Sequence, residues 1–397
     1  MKNMIKRIIP QQSRTRMLRI LKRIQSLKKK ENFFAEHYDI EEKNSDAFFG
    51  YYDINPFHKN YIIYNTTNKN GTLNIHIREG SKEERILGET HAWCWQQGCR
   101  LRWLRNTDDY VCWNDYSDGQ YCCVIYDLCH NKKRYVSWAL YDIDRTGQKG
   151  LSLNFVRLGY MRPGYGYTNE PFVEVFDPNE EGIYYVDLQD NMAEMILTYK
   201  EIGQCLGKDF DYKDYYINHL SFNPSGTKFL FFFIKKGMIH QATLFVFDIE
   251  GRRLTKVEDE LSVSHYCWID DSSMMITAYD KKRECRYYIY GSDLSRRSFM
   301  PNLLKVDGHP TWVNEEFMIT DTYPDNAGFQ KLLLVNPIKQ TVNVLADIYT
   351  SEKRMGEQRT DLHPRIDSAS SQICIDSNVN GFRKLTILKV NQDGKTK

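Results

Sequence analysis

Five histidines in this chain of 397 residues fall into one register. His91 and His219 each stand seven residues before a turn glycine, Gly98 and Gly226, at the start of a strand-like run. His265, His309 and His363 open runs of the same kind, with Trp268, Trp312 and Ile366 three positions on. Tyr51 and Leu140 complete a series of seven. Only 10 of the 397 residues are histidine, so seven arbitrary positions would hold about 0.2 of them. Imidazoles gathered in one volume repel when several are charged, and are favourable when a cation or an anionic ligand sits among them. The register therefore points to metal or substrate chemistry at a histidine ring.

For the register to make a ring, the strands must be arranged around an axis. Beyond residue 45 the chain reads as short β-rich runs broken by turns. Turn residues recur at Asn55-Pro56, Gln97-Gly98, Thr146-Gly147, Pro224-Ser225-Gly226, Asp270-Asp271, Asn314-Glu315 and Asp367-Ser368. Each unit reads as four strands, a period that belongs to a propeller blade. Seven blades are expected, opening near Tyr51, His91, Leu140, His219, His265, His309 and His363. The last has three clear strands, so a strand over Asn32 to Ile40 is expected to complete it and close the ring, which removes exposed edges.

In such a ring the inner strands start on one face, and the loops between second and third strands return to it. The third blade brings Arg157, Arg162, Tyr165 and Tyr167 there, the sixth Asp321 and Tyr323, and the second Asn114, Asp115 and Tyr116. Aromatic rings beside arginines and carboxylates suit an anionic sugar, offering apolar faces for stacking and forks for carboxylates. Asp142-x-Asp144 imitates a metal-nucleotide signature but falls in an expected inner strand, and no nucleotide cofactor is expected.

Charge divides the chain in two. Residues 1–30 hold eleven Lys and Arg and no acid, so the remainder carries −9 against the +2 of the whole. Met17, Ile20, Leu21, Ile24 and Leu27 recur at helical spacing there, which reads as a basic amphipathic helix with an anionic membrane surface as its partner. The arm is taken as residues 1–31 and the propeller as 32–397. No run is long and apolar enough to span a bilayer, and the arm lacks the apolar centre of a secretory signal. The ten cysteines show no Cys-x-x-Cys spacing and read as reduced, buried thiols of a cytoplasmic protein, peripheral at the inner face of the membrane. No nucleic-acid partner is expected.

The units LSLNF…RPGYGY, NHLSFNPSG, SHYCW, DGHPTW…DTYPD and DLHPR…DSNVNGFRKL resemble bacterial seven-bladed propeller proteins of polysaccharide gene clusters, related to oligogalacturonate lyase. The resemblance covers most of residues 48 to 391. It implies cleavage of a uronate-containing oligo- or polysaccharide by metal-assisted β-elimination. It implies His265 and His363 as ligands of a divalent ion, Mn²⁺ or Zn²⁺, with His309 supplying a replacement, because Thr360 and Arg365 stand where a glutamine and a histidine ligand would be. His219 resembles the catalytic base, with His91 as a second proton carrier. Arg162 and Arg365 would orient the substrate carboxylate, and Arg157, Tyr51, Tyr165, Tyr167, Asp321 and Tyr323 would complete the binding surface. The competing expectation is a non-catalytic glycan- or protein-binding propeller of polysaccharide biosynthesis.

Overall fold

The computed structural model describes residues 31–80, 84–104, 109–174, 176–207, 211–237, 242–367 and 371–390. The basic helix expected within residues 1–31 lies outside them, apart from residue 31 itself. Seven antiparallel sheets account for nearly all regular structure, and they form an all-β, seven-bladed propeller. The fourth blade is representative, with Tyr215–Phe222 innermost, then Lys228–Lys235, Ala242–Asp248 and Arg253–Glu258. Phe229 to Ile234 are all buried, as expected for a second strand packed on both faces by neighbouring blades. No helix among the described residues is long and apolar enough to cross a membrane.

The ring closes through the N-terminal strand, although not as one continuous element. Glu36–Ile40 pairs with Lys384–Lys389 and becomes the outermost strand of blade seven. Glu31–Phe33 instead pairs with the outer strand of blade six, Glu31 opposite Ile348. The expected Asn32–Ile40 strand is thus divided between two blades. Lys384 fastens the junction, its Nζ lying 2.6 Å from Asp39 Oδ2 and 3.1 Å from Glu31 Oε1, while Thr386 donates to Asp39 Oδ1 at 2.6 Å.

The long third-blade segment, read as a loop, contains helix α1 (Phe155–Met161), capped by Asn154, whose side chain accepts from the Arg157 amide. The following turn folds back onto α1 at Gly166. A Cβ there would stand 2.2 Å from Gly159 N and 2.3 Å from Phe155 O, so only glycine permits the approach that places Tyr165 and Tyr167. All ten cysteines are free; seven are buried, Cys267 is half-buried, and Cys129 and Cys205 are exposed.

One register is corrected by the strand pairing. In blade four, Ser221 and Phe222 oppose Leu230 and Phe229. In blade two, Arg102 and Trp103 oppose Cys112 and Val111. The residue equivalent to His219 is therefore Arg100, not His91, and the two share a left-handed backbone, φ +59° and +56°. Gly98 is not the hairpin turn; it forms a bridge with Cys94.

Candidate functional site

Four of the register histidines meet at the axis. Ring centroids of His265 and His309 are 4.1 Å apart, and those of His309 and His363 4.4 Å. Tyr51 joins them, stacked on His219 at 5.2 Å and edge-on to His363 at 4.7 Å. Left-handed residues in the inner strands set up this convergence: at His219 the pairing shifts register between Asn218 and Ser221, and His363 has φ +46°. Such bulges break strand alternation and re-aim a side chain.

Three of the imidazoles are held through Nδ1 by an acceptor behind them. His265 Nδ1 lies 3.1 Å from Asp307, His309 Nδ1 2.9 Å from both oxygens of Asp321, and His363 Nδ1 2.9 Å from the Gly50 carbonyl. The neutral form of each then carries its lone pair on Nε2, the tautomer suited to binding a metal or accepting a proton. The buried Nε2 atoms of His309 and His363 have no hydrogen-bond partner. His219 is set the other way. Tyr141 donates to Asn218 Oδ1 at 2.9 Å, which leaves the Asn218 amide, 3.2 Å away, to donate to His219 Nε2. The network assigns the proton to His219 Nδ1, a buried atom without a partner.

Charges divide accordingly. Burial pushes His219 well below the ordinary histidine value, helped by His265, Arg100 and Arg162. Burial does the same to His363, with His309 and Arg365 adding to it, and more mildly to His265. His309 goes the other way: burial, the largest single effect, opposes its charge, but Asp321, Asp361 and Asp307 together override it and raise its value. Asp307 is held well below the carboxylate range. Burial would raise it, yet His265 and hydrogen bonds from Ser264 and Thr277 override that.

Of these residues, His219, His265 and Asp307 border a cavity of about 190 Å³, and His309 and His363 stand behind its lining. Its wall includes Tyr51, His219, His265, Tyr323, Arg162, Tyr165 and Arg359. Arg359 donates to Asp361 at 3.0 Å and to the Tyr165 hydroxyl at 3.1 Å. Arg162 has its guanidinium 5.0 Å from the Tyr165 ring, and among the described residues no carboxylate pairs with it.

Other expected residues lie elsewhere. The His91 side chain is 58% exposed and turned to Asp115 at 3.5 Å, so it is not part of the cluster. Arg157 is buried against Glu181 and the Phe176 ring, and the Tyr167 hydroxyl accepts from Asn114. Arg365 stands behind His363, bound to Asp376 and the Gly50 carbonyl at 2.8 Å each. Asp321 supports His309 rather than lining the cavity. Leu140 packs near Leu188 and Gly150. Asp142 pairs with Arg102 and Asp144 caps a turn, so the apparent nucleotide motif is structural.

Sequence reasoning missed Arg100, Asp307, Arg359 and Asp361. A signal existed for two of them, because Asp307 and Asp361 each stand two residues before a register histidine, His309 and His363. Asp307 nevertheless serves the preceding blade's His265, which no local spacing reveals.

The ligand atoms of His309, Asp361 and His363 all lie within 4.8 Å of one another, and the three residues are buried. Two nitrogens and a carboxylate suit Mn²⁺ or Zn²⁺, so the residues present fit a divalent ion.

No protein-family model matches the chain, and no curated protein sequence does. Solved structures do. An oligogalacturonate lyase in complex with manganese superposes with a TM-score of 0.66 at 15% identity, over 92% of this chain and 98% of that one. Oligogalacturonate lyase from Vibrio parahaemolyticus gives 0.66 at 12% identity, over 92% and 99%. The propeller domain of the Trilobed protease from Pyrococcus furiosus gives 0.51 at 10% identity, over 89% and 95%. These likenesses define the class of fold.

Proposed function

We propose that this protein is a lyase-like propeller that breaks an acidic, uronate-containing oligosaccharide by β-elimination at its axial cavity. The observation that carries the reading is the Asp307–His265–Tyr323 array opening on a cavity whose wall also holds Arg162, which pairs with no carboxylate among the described residues. His265 Nε2 lies 3.4 Å from the Tyr323 hydroxyl. At neutral pH a buried, neutral His265 accepts a proton, and ionised Asp307 stabilises the imidazolium that results. The substrate carboxylate is met by Arg162 and by the Nδ1–H of His219. The hydrogen bond that Asn218 makes to His219 Nε2 supports His219 as an anion donor through Nδ1 rather than as the base expected from sequence.

Elimination then balances as follows. His265 removes the proton on the carbon next to the carboxylate, C5. The C4=C5 double bond forms as the C4–O4 bond breaks. The proton travels through Tyr323 to the departing O4, and no net charge stays buried. A divalent ion among His309, His363 and Asp361 would neutralise the carboxylate and acidify the C5 proton when bound. The cavity is smaller than the roughly 300–1,000 Å³ of pockets for drug-sized ligands, which favours a short oligosaccharide presenting one ring.

The test is incubation with a panel of acidic oligosaccharides while following ultraviolet absorbance of the unsaturated product. Turnover that His265→Ala abolishes supports the reading. Binding without turnover across the panel leaves the propeller as a glycan-binding module.

A further inference from the structure

The three histidines expected to bind metal do not form one ligand group. His265 falls outside the set whose ligand atoms lie within 4.8 Å of one another, and its Nε2 faces the Tyr323 hydroxyl. Asp361 takes its place beside His309 and His363. Ligand atoms that each sit about 2.1 Å from one ion are at most about 4.2 Å apart, so the group is close to the spacing a shared ion needs. Both imidazoles already have Nδ1 engaged and a buried Nε2 without a partner.

Asp361 ends a strap, residues 350–361, that leaves the outer strand of blade six and crosses toward blades two and three. Gln96 Nε2 donates to the carbonyls of Glu357 and Arg359 at 2.8 and 2.9 Å, and Arg383 donates to the Arg359 carbonyl at 2.8 Å. The backbone of Arg359 is thereby fixed. Its side chain is divided between Asp361 and the Tyr165 hydroxyl at the cavity wall.

We propose that His309 Nε2, His363 Nε2 and the Asp361 carboxylate bind one divalent cation, and that the cation displaces Arg359 from Asp361 and frees its guanidinium for an anion in the cavity. The uronate part of this rests on the function proposed above; the cation site does not. Coordination draws the carboxylate's charge to the ion, so Arg359 loses the partner that neutralised it. Its remaining contact, Tyr165, lies on the cavity wall, where a carboxylate can accept both edges of the fork. Cation and anion then bind with positive coupling, and each must strengthen the other by the same factor.

The experiment uses the whole chain stripped with chelator, titrated calorimetrically with Mn²⁺ and then with galacturonate. One Mn²⁺ per chain is expected, with affinity lowered at least about tenfold by Asp361→Asn or His363→Gln and changed less than about threefold by His265→Gln. Galacturonate should bind about fivefold or more tightly when Mn²⁺ is saturating. Arg359→Gln should remove that gain while leaving Mn²⁺ affinity equal or higher. Should Asp361→Asn melt early, pulsed paramagnetic resonance of the parent reads the ligands directly: two coordinated imidazole nitrogens support the site and three overturn it. Loss of Mn²⁺ binding in His265→Gln but not Asp361→Asn overturns it as well, as does a folded parent that takes up no Mn²⁺. Mn²⁺ binding without coupling to galacturonate overturns the role of Arg359. Absence of turnover in the oligosaccharide panel counts against the lyase reading and leaves the cation site standing.

Discussion

Blades four to seven each turn an imidazole toward the axis, whereas blades two and three put Arg100 and Leu140 at the equivalent places. Arg100 is buried, forks onto Asp53 at 2.9 and 3.1 Å, and donates through Nε to the Tyr141 carbonyl. Leu140 is apolar packing. On the histidine side, by contrast, buried polar atoms are left without partners at His219, His309 and His363. At the axial positions themselves, Arg100 satisfies its polar atoms internally, whereas the three histidines leave theirs for a ligand. Unpaired buried polar atoms cost folding free energy, so three imidazoles that each leave one at the axis mark where function overrides stability.

The comparison breaks first at Arg100. Arg100→Leu strands the Asp53 carboxylate, and a loss of about 3–5 kcal/mol is expected from urea unfolding. Leu140→Ala should cost about 3 kcal/mol by opening a cavity in packed wall. If these two variants are as stable as the parent while His219→Gln is not, the division into a structural and a functional side is wrong.

A pH experiment sharpens the contrast. His219 is neutral in the fold, with its value well below that of the unfolded chain, so the unfolded state binds the extra proton in acid. Its contribution to stability is therefore present above about pH 6.5 and declines as pH falls below that. The urea midpoint should drop between about pH 8 and about pH 5.5, and His219→Gln should flatten the slope. His309 runs oppositely, because Asp321, Asp361 and Asp307 together override burial and raise its folded value: its contribution is present below about pH 6.5 and is lost as pH rises through that raised value. The smallest effect belongs to His91, exposed and outside the cluster. His91→Ala should change stability by less than about 0.5 kcal/mol and leave Mn²⁺ affinity unaltered.

The seven-blade count was legible because a blade is a local object: strand, turn and strand alternate within about 50 residues, and turn chemistry marks the boundaries. The register of His219 and His363 was legible for the same reason. His91 misled because Gly98 looks like a hairpin turn; only cross-strand pairing shows that the inner strand continues to Trp103. The strand expected over Asn32–Ile40 was found, yet its division between blades six and seven depends on partners more than 300 residues away.

By itself, then, the sequence determined the fold class and that several imidazoles would share one face, since both follow from periodicities of strand and blade. Which imidazoles carry a free lone pair, which carry the proton, and which carboxylate joins them were decided by tertiary structure alone. Asp307 acts on His265 of the preceding blade and Gly50 fixes His363 across the closure. Strap residue Asp361 completes a ligand group with His309. Hydrogen bonds and Coulomb interactions act over a few ångströms in space, and no spacing along the chain encodes which groups the ring will bring that close.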